Sequence, residues 1–130
     1  MKVLVIDDDP MVRYAIARLL TNNGYEVATA EDGERGFAYL AKEAPAVVIT
    51  DLIMPGQEGM ETIHRLKQEH PELPIIAMSG GGRVCDFDML PMAELMGADA
   101  TVAKPFEPDE LLSLLQRLCG SLSRPEPSAA

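Results

Sequence analysis

Five short apolar runs alternate along this chain with five longer segments in which apolar residues recur every three or four positions. The runs are too short to form stable helices and are typical of buried strands. Runs one, three and four are apolar almost throughout, as expected when helices cover both faces of a sheet. The alternation therefore predicts an α/β fold in which helices wrap a parallel, five-stranded sheet.

Turn-forming residues mark the predicted element boundaries. Asp9-Pro10 supplies an N-cap followed by proline at the first helical position, and Asn23-Gly24 should end that helix. Asp32-Gly33 opens a second helix, which we expect to end at Pro45. The other predicted elements are strands at 2–6, 26–29, 46–50, 74–78 and 100–103, a third helix marked by Met60, Ile63 and Leu66, a fourth marked by Met89, Met92, Ala93 and Met96 and closed by Gly97, and a fifth from Pro108 to Gly120.

Length and composition indicate a single soluble domain. The chain has 130 residues, 47% of them hydrophobic and 25% charged. We predict a folded domain at 1–120 and a disordered tail at 121–130, which is rich in Ser, Pro and Ala. The two cysteines, Cys85 and Cys119, lack the spacing of a metal site, so we expect reduced thiols in a cytoplasmic protein.

Charge and hydropathy exclude two classes of partner. The net charge of −10 argues against direct binding of nucleic acid, because phosphate backbones attract Lys and Arg. No apolar stretch approaches the ~20 residues that a membrane span requires, so we predict no membrane insertion.

Acidic residues follow two of the predicted strands. Asp7, Asp8 and Asp9 come after the first strand, and Asp51 follows the third. Ligands of parallel α/β sheets bind beyond the carboxyl ends of the strands, where these side chains should converge with Ser79 and Lys104. Carboxylates brought together repel one another unless a cation joins them, and a hard divalent ion together with an ammonium group meets that need.

Four motifs, each after its own strand, give the chain a resemblance to a known family. They are Leu4-Val5-Ile6-Asp7-Asp8-Asp9-Pro10, Thr50-Asp51-Leu52-Ile53-Met54-Pro55 with Gly59 after it, Met78-Ser79-Gly80, and Ala103-Lys104-Pro105-Phe106. Each motif occurs often by chance, and taken singly Asp7, Asp8 and Asp9 also fit a solvated turn. In this order, over roughly residues 2–119, the chain resembles the response-regulator receiver domains of two-component signalling, which are CheY-like.

The resemblance implies a fold and a set of roles. The fold is a doubly wound, flavodoxin-like (βα)5 sandwich with strand order 2-1-3-4-5. Asp51 would accept a phosphoryl group from phosphohistidine, so the domain would catalyse only its own phosphorylation and dephosphorylation. Asp7, Asp8, Asp51 and the backbone carbonyl of Ile53 would hold Mg²⁺. Lys104 and the Ser79 hydroxyl would contact phosphoryl oxygens, and Asp9 would cap the first helix instead of binding metal.

One position departs from the family pattern. The family usually carries Tyr or Phe on strand five, three residues before the lysine, whereas this chain has Thr101. We therefore expect the switch region at Ser79, Gly80 and Thr101 to transmit its signal through the adjacent loop and the fourth helix. Ile53 should affect the lifetime of the acyl phosphate, in a direction that the sequence does not reveal.

The resemblance also implies partners, and it leaves alternatives open. The phosphoryl donor would be a histidine kinase or a histidine phosphotransfer protein, the output a downstream protein target, and helix 4-strand 5-helix 5 the face of a homodimer. The chain fits a stand-alone receiver or a receiver cut from a longer regulator. A receiver-like interaction module that is never phosphorylated would typically lack part of the set Asp8, Asp51 and Lys104. A haloacid-dehalogenase-like phosphatase would use Asp7 and Asp9, but Pro10 and the short chain fit that family poorly.

Overall fold

The structure is a computed structural model that describes residues 2–51, 58–79, 97–103 and 107–123. Its strands are β1 (Lys2–Ile6), β2 (Glu26–Ala30), β3 (Val47–Asp51), β4 (Ile75–Ser79) and β5 (Ala100–Ala103). Its helices are α1 (Pro10–Thr21), α2 (Gly33–Leu40), α3 (Glu58–Glu69) and α4 (Pro108–Ser123), the last being the fifth helix predicted from the sequence. The fourth predicted helix lies outside the described residues.

All five strands are parallel and lie in the order β2-β1-β3-β4-β5, which confirms the predicted sheet. Alternation along the strands divides the core into two layers, because successive side chains point to opposite faces. On β1, Val3 and Val5 pack with Ile16 and Leu20 of α1 and with Leu111 of α4. The intervening β1 residues and the apolar side of α3 form the other layer, which includes Leu4, Ile6, Ile63 and Leu66.

The first helix begins and ends where the sequence predicts. Asp9 is the N-cap, and its side chain accepts a hydrogen bond from the Met11 N–H at 2.9 Å. Helix α1 ends at Thr21, and Gly24 then takes a φ of 93°, a left-handed conformation that glycine adopts without steric penalty. The expected N-cap of α2 is also confirmed, because the Asp32 side chain accepts from the Arg35 N–H at 2.8 Å.

Two helix ends differ from the prediction. Helix α2 ends at Leu40, well before Pro45, because residues 41–44 are exposed and another helical turn would bury no apolar surface. Helix α4 continues through Gly120 to Ser123, so Gly120 does not end it. A glycine inside a helix costs about 1 kcal/mol relative to alanine and does not by itself force termination. The expected tail therefore cannot begin at residue 121, and residues 124–130 lie outside the described part of the chain.

Strand boundaries agree with the prediction to within one residue. Strand β2 extends one residue further, to Ala30, and β3 and β4 are each shifted by one residue to end at Asp51 and Ser79. The shift matters for the site, because Asp51 is the last paired residue of β3 and not the first residue of a loop. Within the described ranges, no helix is both long enough and apolar enough to cross a bilayer.

Candidate functional site

Three carboxylates meet at the carboxyl edge of the sheet. Asp7 directly follows β1, Asp8 is the next residue, and Asp51 ends the neighbouring strand β3. The register pairs Ile6 with Thr50, which brings Asp7 and Asp51 to the same level of the sheet. One oxygen from each carboxylate lies within 4.8 Å of the others. The predicted convergence is thus observed for Asp7, Asp8 and Asp51, the acidic cluster.

The cluster is only partly open to solvent. Asp7 is 0% exposed and Asp51 is 3% exposed, whereas Asp8 is an exposed residue. Carboxylates are rarely buried unless they are hydrogen-bonded or joined by a cation. Two buried acids beside a third therefore mark this edge as a place where binding a positive ion would stabilise the fold.

Hydrogen bonds from three directions hold Asp7. Its backbone N–H donates to the Ala30 carbonyl of β2 at 3.1 Å. Its carboxylate Oδ1 accepts the Asp9 N–H at 2.9 Å, and its backbone carbonyl accepts from Arg13 Nη1 at 2.7 Å. The turn between β1 and α1 is thus fixed to both flanking elements, which keeps the Asp7 carboxylate directed at the cluster.

Asp51 sits on the most enclosed part of the sheet. Strand β3 lies between β1 and β4, and all five of its residues are buried. Asp51 pairs with Met78, and the preceding Thr50 pairs with Ala77. A carboxylate at this position is carried by a strand with paired neighbours on both sides, which fixes the direction of its side chain.

The donor set fits a hard divalent cation. All three side chains offer carboxylate oxygens, the ligands that Mg²⁺ and Ca²⁺ prefer. Mg²⁺ binds oxygen ligands at roughly 2.1 Å, so the carboxylates that hold it must lie close together. The three oxygens lie within 4.8 Å of one another, which is near enough for all of them to reach one ion after side-chain rotation. The cluster can therefore hold a metal ion.

The other predicted site residues are only partly covered by the structure. Ser79 ends β4 and pairs with Ala103, the last residue of β5 and the residue before Lys104 in the sequence. The Ser79 side chain, Ile53, Gly80 and Lys104 lie outside what the structure describes. Thr101 lies on β5, half-buried and paired with Ala77, as the sequence predicts.

Sequence reasoning missed Arg13. Nothing in the spacing of the motifs reveals that an arginine one turn into α1 donates to the Asp7 carbonyl, because the contact depends on how α1 leaves the sheet.

The comparisons with known proteins agree with this geometry. The model of the response regulator receiver domain matches residues 3–116, and the chain belongs to this family. The DNA-binding transcriptional regulator NtrC of Salmonella typhimurium is 36% identical over 115 residues, covering 88% of this chain and 24% of NtrC. The probable transcriptional regulator ycf27 of Porphyra purpurea is 40% identical over 110 residues, covering 85% of this chain and 44% of ycf27. The chain thus spans less than half the length of these relatives.

Solved structures show the same fold. The receiver domain of NtrX from Brucella abortus matches with a TM-score of 0.83 and 31% identity, covering 93% of this chain and 99% of that one. The response regulator TrrA of Thermotoga maritima, solved in complex with Mg²⁺-BeF, matches with a TM-score of 0.77 and 28% identity, covering 90% and 97% of the two chains. The flavodoxin-like architecture predicted from the sequence is therefore confirmed.

Proposed function

We propose that Asp51 is the phosphoacceptor of this receiver domain. The observation that supports the proposal best is the placement of the Asp51 carboxylate: it is 3% exposed, it ends an inner strand, and it lies within reach of Asp7 and Asp8. A carboxylate in this position is held still and remains adjacent to a site for positive charge. Phosphoryl transfer depends mainly on such positioning and charge neutralisation.

In the proposed reaction, an Asp51 carboxylate oxygen attacks the phosphorus of a phosphohistidine. An oxygen–phosphorus bond forms, the nitrogen–phosphorus bond breaks, and the electron pair of that bond returns to the imidazole nitrogen, which can then take up a proton. Asp7 and Asp8 would hold Mg²⁺ together with Asp51 and the Ile53 carbonyl. When bound, the ion supplies positive charge that offsets the repulsion between carboxylate and phosphate. Lys104 and Ser79 would contact phosphoryl oxygens.

The burial of Asp7 and its fixed orientation favour Asp7 as a ligand of the metal ion. Its Oδ1 is engaged by the Asp9 N–H at 2.9 Å, which orients the carboxylate as a ligand. The Asp9 side chain instead caps α1, where it accepts from the Met11 N–H. A phosphatase mechanism with Asp7 as nucleophile and Asp9 as its partner is disfavoured by this division of roles.

The proposal is tested by incubating the protein with acetyl phosphate and Mg²⁺, followed by intact mass measurement and peptide mapping. We expect a mass gain of one phosphoryl group, mapped to Asp51 and abolished by Asp51→Asn. Asp7→Asn should reduce the yield through weaker metal binding but leave the modified residue unchanged. A label that persists in Asp51→Asn, or one that maps to Asp7, would refute the assignment.

The donor would be a histidine kinase or a histidine phosphotransfer protein, and the output a protein target. The share of its relatives that the chain covers favours a receiver that works as one module of a longer regulator, because the match to NtrC spans 24% of that protein. The receiver would extend from residue 1 to the end of α4, which follows the predicted domain except for its final turn. A homodimer would form through the fourth predicted helix, strand β5 and helix α4, which is the fifth predicted helix.

Thr101 supports a particular route for the signal. It is half-buried in β5 beside Ala77, where a β-branched side chain is too short to act as the rotating aromatic group of the familiar switch. Ser79 and Gly80 would then transmit phosphorylation to the segment that follows β4. Hydrogen exchange with and without beryllium fluoride and Mg²⁺ tests this route: protection should change across residues 79–97, and unchanged protection there would exclude it.

A further inference from the structure

A second cleft, of about 490 Å³, lies beside the carboxyl end of β2 at the outer edge of the sheet. Three cationic side chains line it: Arg13 from α1, Arg35 from α2, and Lys42, which follows α2. Glu31 is the one carboxylate among its described lining residues. The whole chain has 11 Lys and Arg against 21 Asp and Glu, so this cleft reverses the overall charge of the protein locally. Such a local excess attracts anions.

Two of the cations are held in place by neighbouring groups. Arg13 Nη1 donates to the Asp7 carbonyl at 2.7 Å. Arg35 Nε lies 3.1 Å from Glu31 Oε2 and 3.9 Å from Asp32 Oδ2. A guanidinium has several N–H donors in a planar fork, so contacts at one nitrogen fix its direction and leave other donors for a ligand. Lys42 is exposed, and its ammonium forms no ion pair with any residue that the structure describes. The cleft therefore presents preoriented positive groups.

The backbone adds donor capacity. The Ala30 carbonyl points at β1, where it accepts the Asp7 N–H at 3.1 Å. Peptide groups alternate in direction along a strand, so those of Thr29 face outward from the sheet edge that lines the cleft. At the other end of β2 stands the exposed Glu26, which would repel an acidic peptide running along the strand. The arrangement favours a compact anion over an extended acidic segment.

We propose that this cleft binds a small organic polyanion that carries phosphate or carboxylate groups. Its volume lies within the roughly 300–1,000 Å³ of small-molecule sites. Arg13 and Arg35 would engage oxyanion groups through their forks, and Lys42 would act as a point charge at the rim. The lining of the cleft includes none of the three clustered acids, although Arg13 contacts the Asp7 carbonyl, and the site requires neither metal nor phosphorylation of Asp51.

The proposal is tested on metal-free full-length protein carrying Asp51→Asn, which removes any binding that depends on phosphoryl transfer. Inorganic pyrophosphate and citrate serve as separate probes for phosphate and carboxylate chemistry, titrated at constant ionic strength and followed through backbone amide shifts. The test variant is the double substitution Arg35→Gln/Lys42→Gln. The matched control is Arg18→Gln/Arg117→Gln, which removes two positive charges at exposed positions outside the cleft.

We expect saturable binding of at least one probe, with shifts at Thr29, Ala30 and Lys42. The affinity for the probe should fall roughly tenfold in Arg35→Gln/Lys42→Gln, because two exposed charge contacts are lost. In the control variant it should stay within about twofold of the value for the protein with Asp51→Asn alone. Lys42→Gln alone should weaken binding in the same direction without disturbing α2. Equal losses in both double variants, shifts confined to residues 7–9, or binding of a Glu-rich peptide but of neither probe would overturn the proposal. A failure here leaves phosphorylation of Asp51 untouched, because the two readouts are independent.

Discussion

The Asp9 backbone N–H donates to the Asp7 carboxylate at 2.9 Å, while the Asp9 side chain turns away to accept from Met11. One residue thus serves the cluster through its backbone and the helix through its side chain. The neighbouring acids Asp7 and Asp9 therefore have different functions, although the sequence presents them as parts of one run.

This division predicts the behaviour of Asp9→Ala. The variant loses the N-cap of α1 and should be destabilised by about 1 kcal/mol, measured by urea unfolding. Metal affinity should change little, because the backbone donor to Asp7 remains. Asp9→Asn, which keeps a capping oxygen, is the matched control and should be close to wild type. A loss of metal affinity in Asp9→Ala as large as in Asp8→Asn would show that Asp9 is a ligand after all.

Asp8→Asn should have opposite effects with and without metal. Without metal, removal of one of three clustered charges relieves repulsion and should stabilise the fold by on the order of 1 kcal/mol. With Mg²⁺ at ten times its Kd, wild type should gain about 1.4 kcal/mol, and the variant clearly less.

Urea unfolding with and without Mg²⁺ measures both effects. Glu72→Gln, which also removes one exposed negative charge but lies away from the cluster, is the control and should respond to Mg²⁺ like wild type. If Asp8→Asn and Glu72→Gln gain equally from Mg²⁺, Asp8 does not contribute to the metal site.

Asp99 joins the starts of β4 and β5, and its replacement should be costly. Its Oδ2 accepts the Ile75 N–H at 2.9 Å and lies 3.2 Å from Lys67 Nζ. Asp99→Ala leaves the N–H of a buried residue without its acceptor, so we expect a loss of roughly 1–3 kcal/mol in urea unfolding.

Two variants separate the contributions to this contact. Asp99→Asn retains an acceptor for Ile75 and should cost less than Asp99→Ala. Lys67→Met removes a partly exposed ion pair and also the contacts that Lys67 Nζ donates to the carbonyls of Pro71 at 3.3 Å and Leu73 at 3.4 Å, so we expect a cost of about 1 kcal/mol. Should Lys67→Met prove as damaging as Asp99→Ala, the contacts of the Lys67 ammonium, and not the hydrogen bond of the Ile75 N–H, would dominate.

Gly36→Ala tests the packing of α2 on the sheet. A Cβ at Gly36 would lie 2.6 Å from Ile6 Cδ1 and 3.2 Å from Ile6 Cγ1. An exposed helical glycine usually gains up to about 1 kcal/mol on substitution by alanine, but overpacking here should reverse the sign and cost about 1–3 kcal/mol. Ile6→Val removes the obstructing Cδ1, so the double variant should be more stable than the sum of the single effects. Stabilisation by Gly36→Ala alone would contradict the observed packing.

The fold was largely predictable because local signals and long-range packing agree. Asp9, Gly24 and Asp32 act where their chemistry favours them, at helix ends. The predicted end of α2 at Pro45 was wrong. A proline limits how far a helix can extend, but it does not determine where the apolar face of the helix ends, and α2 ends at Leu40. The predicted end of α4 at Gly120 was also wrong, because glycine permits a helix to end but does not require it, and α4 continues to Ser123.

The acidic cluster was predictable for a topological reason. In a parallel sheet, carboxyl ends of neighbouring strands share an edge, so Asp7 and Asp51 had to meet once β1 and β3 were adjacent. The contacts of Arg13, Lys67 and Asp99 were not predictable, since each depends on the direction in which a helix or loop leaves the sheet. Long side chains that satisfy distant backbone carbonyls carry no periodic signal in sequence.

The inner position of β3 sets an order of events during biosynthesis. Asp51 completes its own strand, yet one side of that strand stays unpaired until the chain has been made as far as Ser79. A chain that ends before β4 would therefore leave Asp51 on an unpaired strand edge. Closure of the sheet by β4 would thus complete the acidic cluster, and a chain truncated before β4 should bind Mg²⁺ more weakly than the whole chain.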